Sequence, residues 1–166
     1  MKREDMYMGQ FELLLFYTKD DFTLKTLFNG SKDDIEEWQI AVEFIYRCLK
    51  SKLLYDLDVD GFDDYAGGYI TSFEDIAKHI AKYTSDDEVL DKTIDFLNSQ
   101  IWYHNFAGSQ ELGELAKECH LQGYEDYWED DNDPRWLKFQ SAIERIFAEH
   151  SVPWDFDHPL FPVQPT

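Results

Sequence analysis

Basic residues are what this sequence lacks. Fifteen Lys and Arg stand against 35 Asp and Glu, a formal net charge of −20 on 166 residues. Phosphate backbones and anionic lipid headgroups both require a positive footprint, so neither nucleic acid nor a membrane surface is expected as a direct partner. Long apolar runs are also lacking. None approaches the roughly 20 residues of a membrane-spanning helix. Met1 to Met8 contains no apolar signal core, so no secretory targeting is expected. Cysteine is scarce: Cys48 and Cys119 form no disulfide framework, and a reduced, cytoplasmic setting fits them. Zinc sites need four ligands, usually in paired spacings. Cys119-His120 is not complemented at such spacing by Cys48, His79, His104, His150 or His158, which favours buried cysteines and scattered surface histidines. No phosphate loop, nucleophile elbow or metalloprotease helix is present, and no cofactor is expected.

Aromatic residues, by contrast, are abundant at 17%, and overall hydrophobic content is 43%. That composition excludes a disordered acidic chain and provides for a real core, with one domain as the default at this length. The acidity is unevenly placed. The first thirty residues are nearly balanced, with Glu4, Asp5, Glu12, Asp20 and Asp21 against Lys2, Arg3, Lys19 and Lys25. The excess peaks in two runs without a single Lys or Arg, Asp56 to Asp75 and Glu125 to Asp133. Phe62, Tyr65, Tyr69 and Phe73 punctuate the first, Tyr127 and Trp128 the second. Carboxylates supply steering and pairing while aromatics supply contact area, the combination that grips a basic protein. Glu125, Asp126, Tyr127, Trp128, Glu129, Asp130 and Asp131, with Asp63, Asp64 and Tyr65 from the first run, are the candidate partner-binding residues. Paired carboxylates are too numerous to single out an acid and a base.

Helix-start signals recur along the chain. Ser31 precedes Lys32-Asp33-Asp34 and a stripe of Ile35, Trp38, Val42, Ile45 and Leu49, widened by Ala41, Phe44 and Cys48, which predicts a central helix. Ser72 opens a second helix, with Phe73, Ile76, Ala77 and Ile80 inward. Ser85 opens a third, with Glu88 at the box position and Leu90, Ile94, Leu97 and Ile101 on one stripe. Ser109 opens a fourth around Leu112, Leu115, Ala116 and Cys119. Asp133 caps a fifth with Pro134 at its first position, where a missing N–H costs nothing, ahead of Trp136, Phe139, Ile143, Ile146 and Phe147. A further helix is expected over 9–18, and Phe22 to Phe28 alternates well enough for a strand. The fold expected is mainly α: a single helical domain over 1–151, a bundle of five to seven helices with a short strand or hairpin near the N-terminus. Val152 to Thr166, with four prolines, Trp154, Phe156 and Phe161, is expected to be an extended tail packing back on that domain. Trp102 and Phe106 are expected in the core.

Asp56-Leu57-Asp58-Val59-Asp60-Gly61 supplies the alternate oxygens and the glycine of a calcium loop. The twelfth position, where a bidentate Glu belongs, is Gly67, and the eighth, which should be apolar, is Asp63. An acidic loop with turns at Gly61, Gly67 and Gly68 is the simpler expectation.

The stretch Glu37-Trp38-Gln39-Ile40-Ala41-Val42-Glu43-Phe44-Ile45-Tyr46-Arg47-Cys48-Leu49-Lys50-Ser51-Lys52-Leu53-Leu54 is an amphipathic helix running into a short apolar turn. With Ile101-Trp102-Tyr103-His104-Asn105-Phe106, it resembles the immunity proteins of bacterial polymorphic toxin and contact-dependent growth inhibition systems. The resemblance covers about a third of the chain and carries over no functional residues. It implies a cytoplasmic, non-enzymatic protein that blocks one cognate toxin domain, often a basic nuclease. The charge distribution points to the same partner independently. The alternatives are a calcium-dependent binding module using Asp56, Asp58 and Asp60, and a hydrolase with a non-obvious constellation.

Overall fold

The computed structural model describes residues 1–28, 33–57, 61–121 and 132–165. Among them are six α-helices and one small antiparallel sheet. Helix α1 spans Arg3–Leu14 and tightens into a 3-10 turn over Leu15–Thr18, so the helix expected over 9–18 begins six residues earlier. Strand β1 is only Phe22–Thr23. The alternation to Phe28 breaks at Leu24–Thr26, a second 3-10 turn, because Leu24, Leu27 and Phe28 all turn into the core.

Helix α2, Ile35–Lys50, is the centre of the molecule, as its apolar stripe predicts. Every residue from Ile40 to Leu49 is buried, including Glu43 and Arg47. Its cap is not Ser31, which lies outside the described residues. The Asp34 side chain accepts the Glu37 N–H at 3.0 Å, directly before the first helical residue. Ile35, read as the start of the inward stripe, is 49% exposed. Lys52, at φ 60°, ends the helix in a left-handed turn that reverses the chain into strand β2, Leu54–Asp56.

A 3-10 turn at Tyr65–Gly68 contains left-handed residues at Ala66, Gly67 and Gly68. It leads to α3, Phe73–Ile80, which Ser72 caps by accepting the Asp75 N–H. Helix α4, Lys92–Tyr103, starts later than expected. Asp91, not Ser85, accepts the Thr93 and Ile94 N–H groups. Ser85 sits instead in a turn closed by Thr84 and Asp87, and Leu90 is wholly exposed. Helix α4 does not run to Phe106: His104 is extended and strand β3, Asn105–Gly108, follows. Trp102 and Phe106 are both buried, as expected. Helix α5, Gln110–Glu118, and helix α6, Pro134–Glu149, begin at the caps expected for them, Ser109 and Asp133. The α6 stripe Trp136, Phe139, Ile143, Ile146 and Phe147 is wholly buried.

The sheet order is β1-β3-β2, both pairings antiparallel, with Phe22 opposite Phe106 and Tyr55 opposite Ala107. Its strands come from three distant parts of the chain: β1 is the short N-terminal strand expected, and it pairs with β3 rather than within a local hairpin. A Cβ at Gly108 would lie 2.8 Å from the Tyr17 carbonyl, so glycine lets β3 pass close against the turn after α1.

The C-terminal segment packs back on the helices, and α2 supplies its grip. Three residues one turn apart on α2, Gln39, Glu43 and Arg47, bind its backbone. Arg47 donates to the carbonyls of Val152 and Pro153, and Glu43 accepts the N–H groups of Leu160 and Phe161. Gln39 donates to the Phe161 carbonyl and accepts the Val163 N–H. Trp154 stacks on Tyr7 at 4.1 Å and Phe161 meets Tyr46 edge-on at 4.6 Å. This strap explains why α2 is buried on its polar side as well as its apolar one. No helix among the described residues is long and apolar enough to cross a membrane.

Candidate functional site

The chain turns from α2 into β2 with Tyr55 and Leu57 still 48% and 46% exposed, large apolar groups left at the surface. They form the mouth of a cleft of about 460 Å³, within the size range of ligand sites. Leu54, Ile76 and Phe106 form its buried base, and Phe62, Tyr65 and Phe73 its aromatic wall. Phe62 meets Phe73 edge-on at 4.9 Å and Tyr65 at 6.3 Å, so the rings brace one another. Three elements distant in sequence converge here: β2, the loop from Gly61 into α3, and β3.

The rim is charged. Asp56 lines the cleft, and Asp63 and Asp64 are exposed on the loop that carries Phe62. Further along, the Thr71 N–H holds the Asp75 carboxyl below the ordinary carboxylate range. Glu74 is pulled down to about 2, first by its hydrogen bond from Lys50 at 2.8 Å and then by that from Tyr46. The first turn of α3 therefore stays anionic well into acid. Among the described lining residues Lys52 is the one cation, and it is exposed.

Asp56 is engaged in a way the calcium-loop reading does not allow for. It belongs to β2, opposite Phe106, and its Oδ2 lies 3.2 Å from His104 Nδ1. His104 Nε2 lies 2.8 Å from Gln100 Oε1, and the Tyr65 ring covers the imidazole at 5.0 Å. The first ligand of the supposed loop is thus a strand residue held against a histidine. Asp58 and Asp60 lie outside the described residues. Gly67, at the position that should carry the bidentate carboxylate, makes a left-handed turn, as do Gly61 and Gly68. Among the described residues no group of three or more His, Cys, Asp or Glu is arranged to hold a metal. With both His104 nitrogens engaged by Asp56 and Gln100, the ring is built to tie β2 to α4 rather than to offer a base to the cleft.

The cysteines are equally placed for packing. Cys48 and Cys119 are free and buried, and burial raises both thiols above their ordinary range, against the thiolate a nucleophile needs.

Of the ten residues expected to bind a partner, Glu125, Asp126, Tyr127, Trp128, Glu129, Asp130 and Asp131 lie outside the described residues. Asp63 and Asp64 are at the surface. Tyr65 is not: at 1% exposure it belongs to the core and can meet a ligand only through the cleft wall. The left-handed residues that follow it turn Tyr65 inward and Tyr69 outward, the latter 62% exposed. Tyr55, Leu57 and Phe106 were missed by sequence reasoning. Tyr55 and Leu57 flank the run's start, but nothing local distinguishes them from core strand residues. No protein-family model, curated protein or solved structure matches the chain.

Proposed function

We propose that this protein is a non-enzymatic inhibitor of the immunity type, which binds and neutralises a cognate basic toxin domain, a nuclease being the partner its charge suits best. The observation that carries this proposal is the cleft itself. An aromatic-walled hollow of about 460 Å³, with Tyr55 and Leu57 exposed at its mouth, opens beside Asp63 and Asp64 in a chain of net charge −20. A buried apolar centre ringed by charge is the anatomy of a protein interface. The anionic field attracts a cationic partner and speeds its encounter, and the rings then slow its release. Carboxylates on the inhibitor occupy the places that phosphates take on a nuclease. The inhibitor works in the cytoplasm of the cell that makes it, and the binding is stoichiometric.

The test is to express the chain with the toxin domain encoded beside its own gene. Co-purification as a complex, loss of toxin activity at one equivalent and rescue of growth are the expected results. Failure to bind any basic domain encoded nearby would sink the proposal.

A further inference from the structure

We infer that the cleft at β2 is an arginine receptor: it takes a single arginine side chain presented by the basic partner. The inference rests on the proposed inhibitory function for the identity of the partner, but its chemistry is legible in the chain alone.

Among the described residues two arginines are held in one way, an aromatic face on one side and a carboxylate on the other. Arg47 lies 5.0 Å from the Trp154 ring and 2.9 Å from Glu43. Arg3 lies 4.7 Å from the Phe156 ring and 3.4 Å from Asp157. The cleft offers the same two components. Phe62, Phe73 and Tyr55 supply ring faces and edges, and Asp63 and Asp64, exposed on the loop beside it, supply the carboxylates, while Asp56 lines the hollow with its Oδ2 turned to His104.

Three features select arginine over other occupants. The hollow is mostly apolar, which suits the three-methylene stem of arginine. Its guanidinium is planar, weakly hydrated and stacks on rings, whereas a lysine ammonium keeps its water. A purely apolar side chain would fill the base but leave the surrounding negative charge without a counterpart. Lys52 at the mouth is the opposing element, since its charge repels the incoming guanidinium.

The experiment is an NMR titration of the ¹⁵N-labelled full chain with four capped tripeptides, glycine flanking arginine, lysine, citrulline or leucine. The arginine peptide is expected to give saturable shifts at Tyr55, Leu57, Phe62 and Phe73. Citrulline, which keeps the shape and loses the charge, is expected to bind about threefold or more weakly, as are lysine and leucine. Tyr55→Ala should weaken the arginine peptide about threefold. Lys52→Asn, which tolerates the left-handed backbone, should strengthen it about twofold to threefold. Equal binding of citrulline or leucine overturns the inference. So do shifts that spread over all carboxylates without saturating, and a Lys52→Asn variant that binds no better. The peptide result is separable from the fate of the proposed function. Arginine binding in the cleft with no toxin partner would leave the receptor standing alone. A toxin neutralised equally by wild type and by Tyr55→Ala would leave the inhibitor without this anchor and overturn the receptor.

Discussion

The Glu43 carboxylate and the Arg47 guanidinium meet at 2.9 Å one turn apart on α2, with side chains only 4% and 1% exposed. A buried ion pair is often replaceable by apolar residues of similar volume without loss. This one differs, because both partners also hold the backbone of the C-terminal strap. Arg47→Met is therefore expected to cost about 3–5 kcal/mol, leaving the buried Glu43 carboxylate and the Val152 and Pro153 carbonyls, the first of them buried, without their donor. The double variant Glu43→Leu, Arg47→Met is expected not to recover wild-type stability, because the Leu160 and Phe161 amides then lose their acceptor. Urea unfolding followed by tryptophan fluorescence measures both. Full recovery in the double variant would show that the strap's hydrogen bonds contribute little.

Two helix starts separate what the sequence suggests from what the fold uses. Asp34 accepts the Glu37 N–H, and Asp91 accepts those of Thr93 and Ile94. Asp34→Ala and Asp91→Ala are each expected to cost about 1 kcal/mol. Ser85→Ala is expected to fall within about 0.5 kcal/mol of wild type, since Ser85 caps no helix. Denaturant midpoints of the three variants give the comparison. A Ser85→Ala loss as large as that of Asp91→Ala would contradict this assignment of caps.

Much of the helical framework could be read from the residues because its signals are local. Ser72, Ser109 and Asp133 each stand next to a periodic apolar stripe, and each caps the helix expected of it. At the two starts assigned to Ser31 and Ser85, an aspartate directly adjoining the first helical residue caps instead, Asp34 before Ile35 and Asp91 before Lys92. The pairing of the sheet was not legible, because three strands of two to four residues meet across 50 to 84 positions and carry too few residues for a period-2 pattern. The cleft was half legible. The Asp56–Asp75 run pointed to Phe62 and Phe73, but Phe106 arrives from β3, and only the fold places Tyr65 inside.

His79 sets a dependence on pH. It is buried on α3, its ring 5.0 Å from that of Tyr83. Asn98 donates its amide to the Thr84 carbonyl, so its oxygen faces His79 Nε2, which donates to it at 3.0 Å. Burial lowers the His79 pKa below its ordinary value, more than the Asn98 contact raises it. Below about 6.5 the unfolded chain then binds a proton that the folded chain refuses. Stability is expected to be intact above that pH and to fall as pH drops from it toward the lowered folded value. A second, separate loss follows as pH falls from the ordinary glutamate range toward 2, where Glu74 finally protonates. In His79→Gln, whose amide keeps the donor to Asn98, the first loss should vanish and the second remain. Urea midpoints at pH 7.5, 5.5, 4.5 and 3 resolve the two windows. An unchanged slope between pH 7.5 and 5.5 in the variant would place the titrating group elsewhere.

Two acidic runs compete to be the grip on a basic partner, and kinetics can separate them. Asp63 and Asp64 are exposed beside the cleft, and Glu125 to Asp131 form the second run. Charges at a rim act mainly through diffusional encounter, so their removal slows association and flattens its salt dependence. Buried anchors act mainly through release. If the cleft is the centre of the interface, Asp63→Asn with Asp64→Asn should slow association severalfold and leave dissociation nearly unchanged. Leu57→Ala, which removes an exposed apolar group at the mouth, should speed dissociation and leave association unchanged. Asp130→Asn with Asp131→Asn should slow association to a lesser degree, and Trp128→Ala should release no faster than wild type. The opposite pattern, with Trp128→Ala releasing at least tenfold faster and Leu57→Ala like wild type, would move the interface to the second run. Asp133 must stay, because it caps α6 through the Arg135 N–H at 2.9 Å, and its loss would cost about 1 kcal/mol of stability as well. Asp63, Asp64 and Leu57 lie outside the buried core, so a changed rate in those variants reports the interface and not the fold.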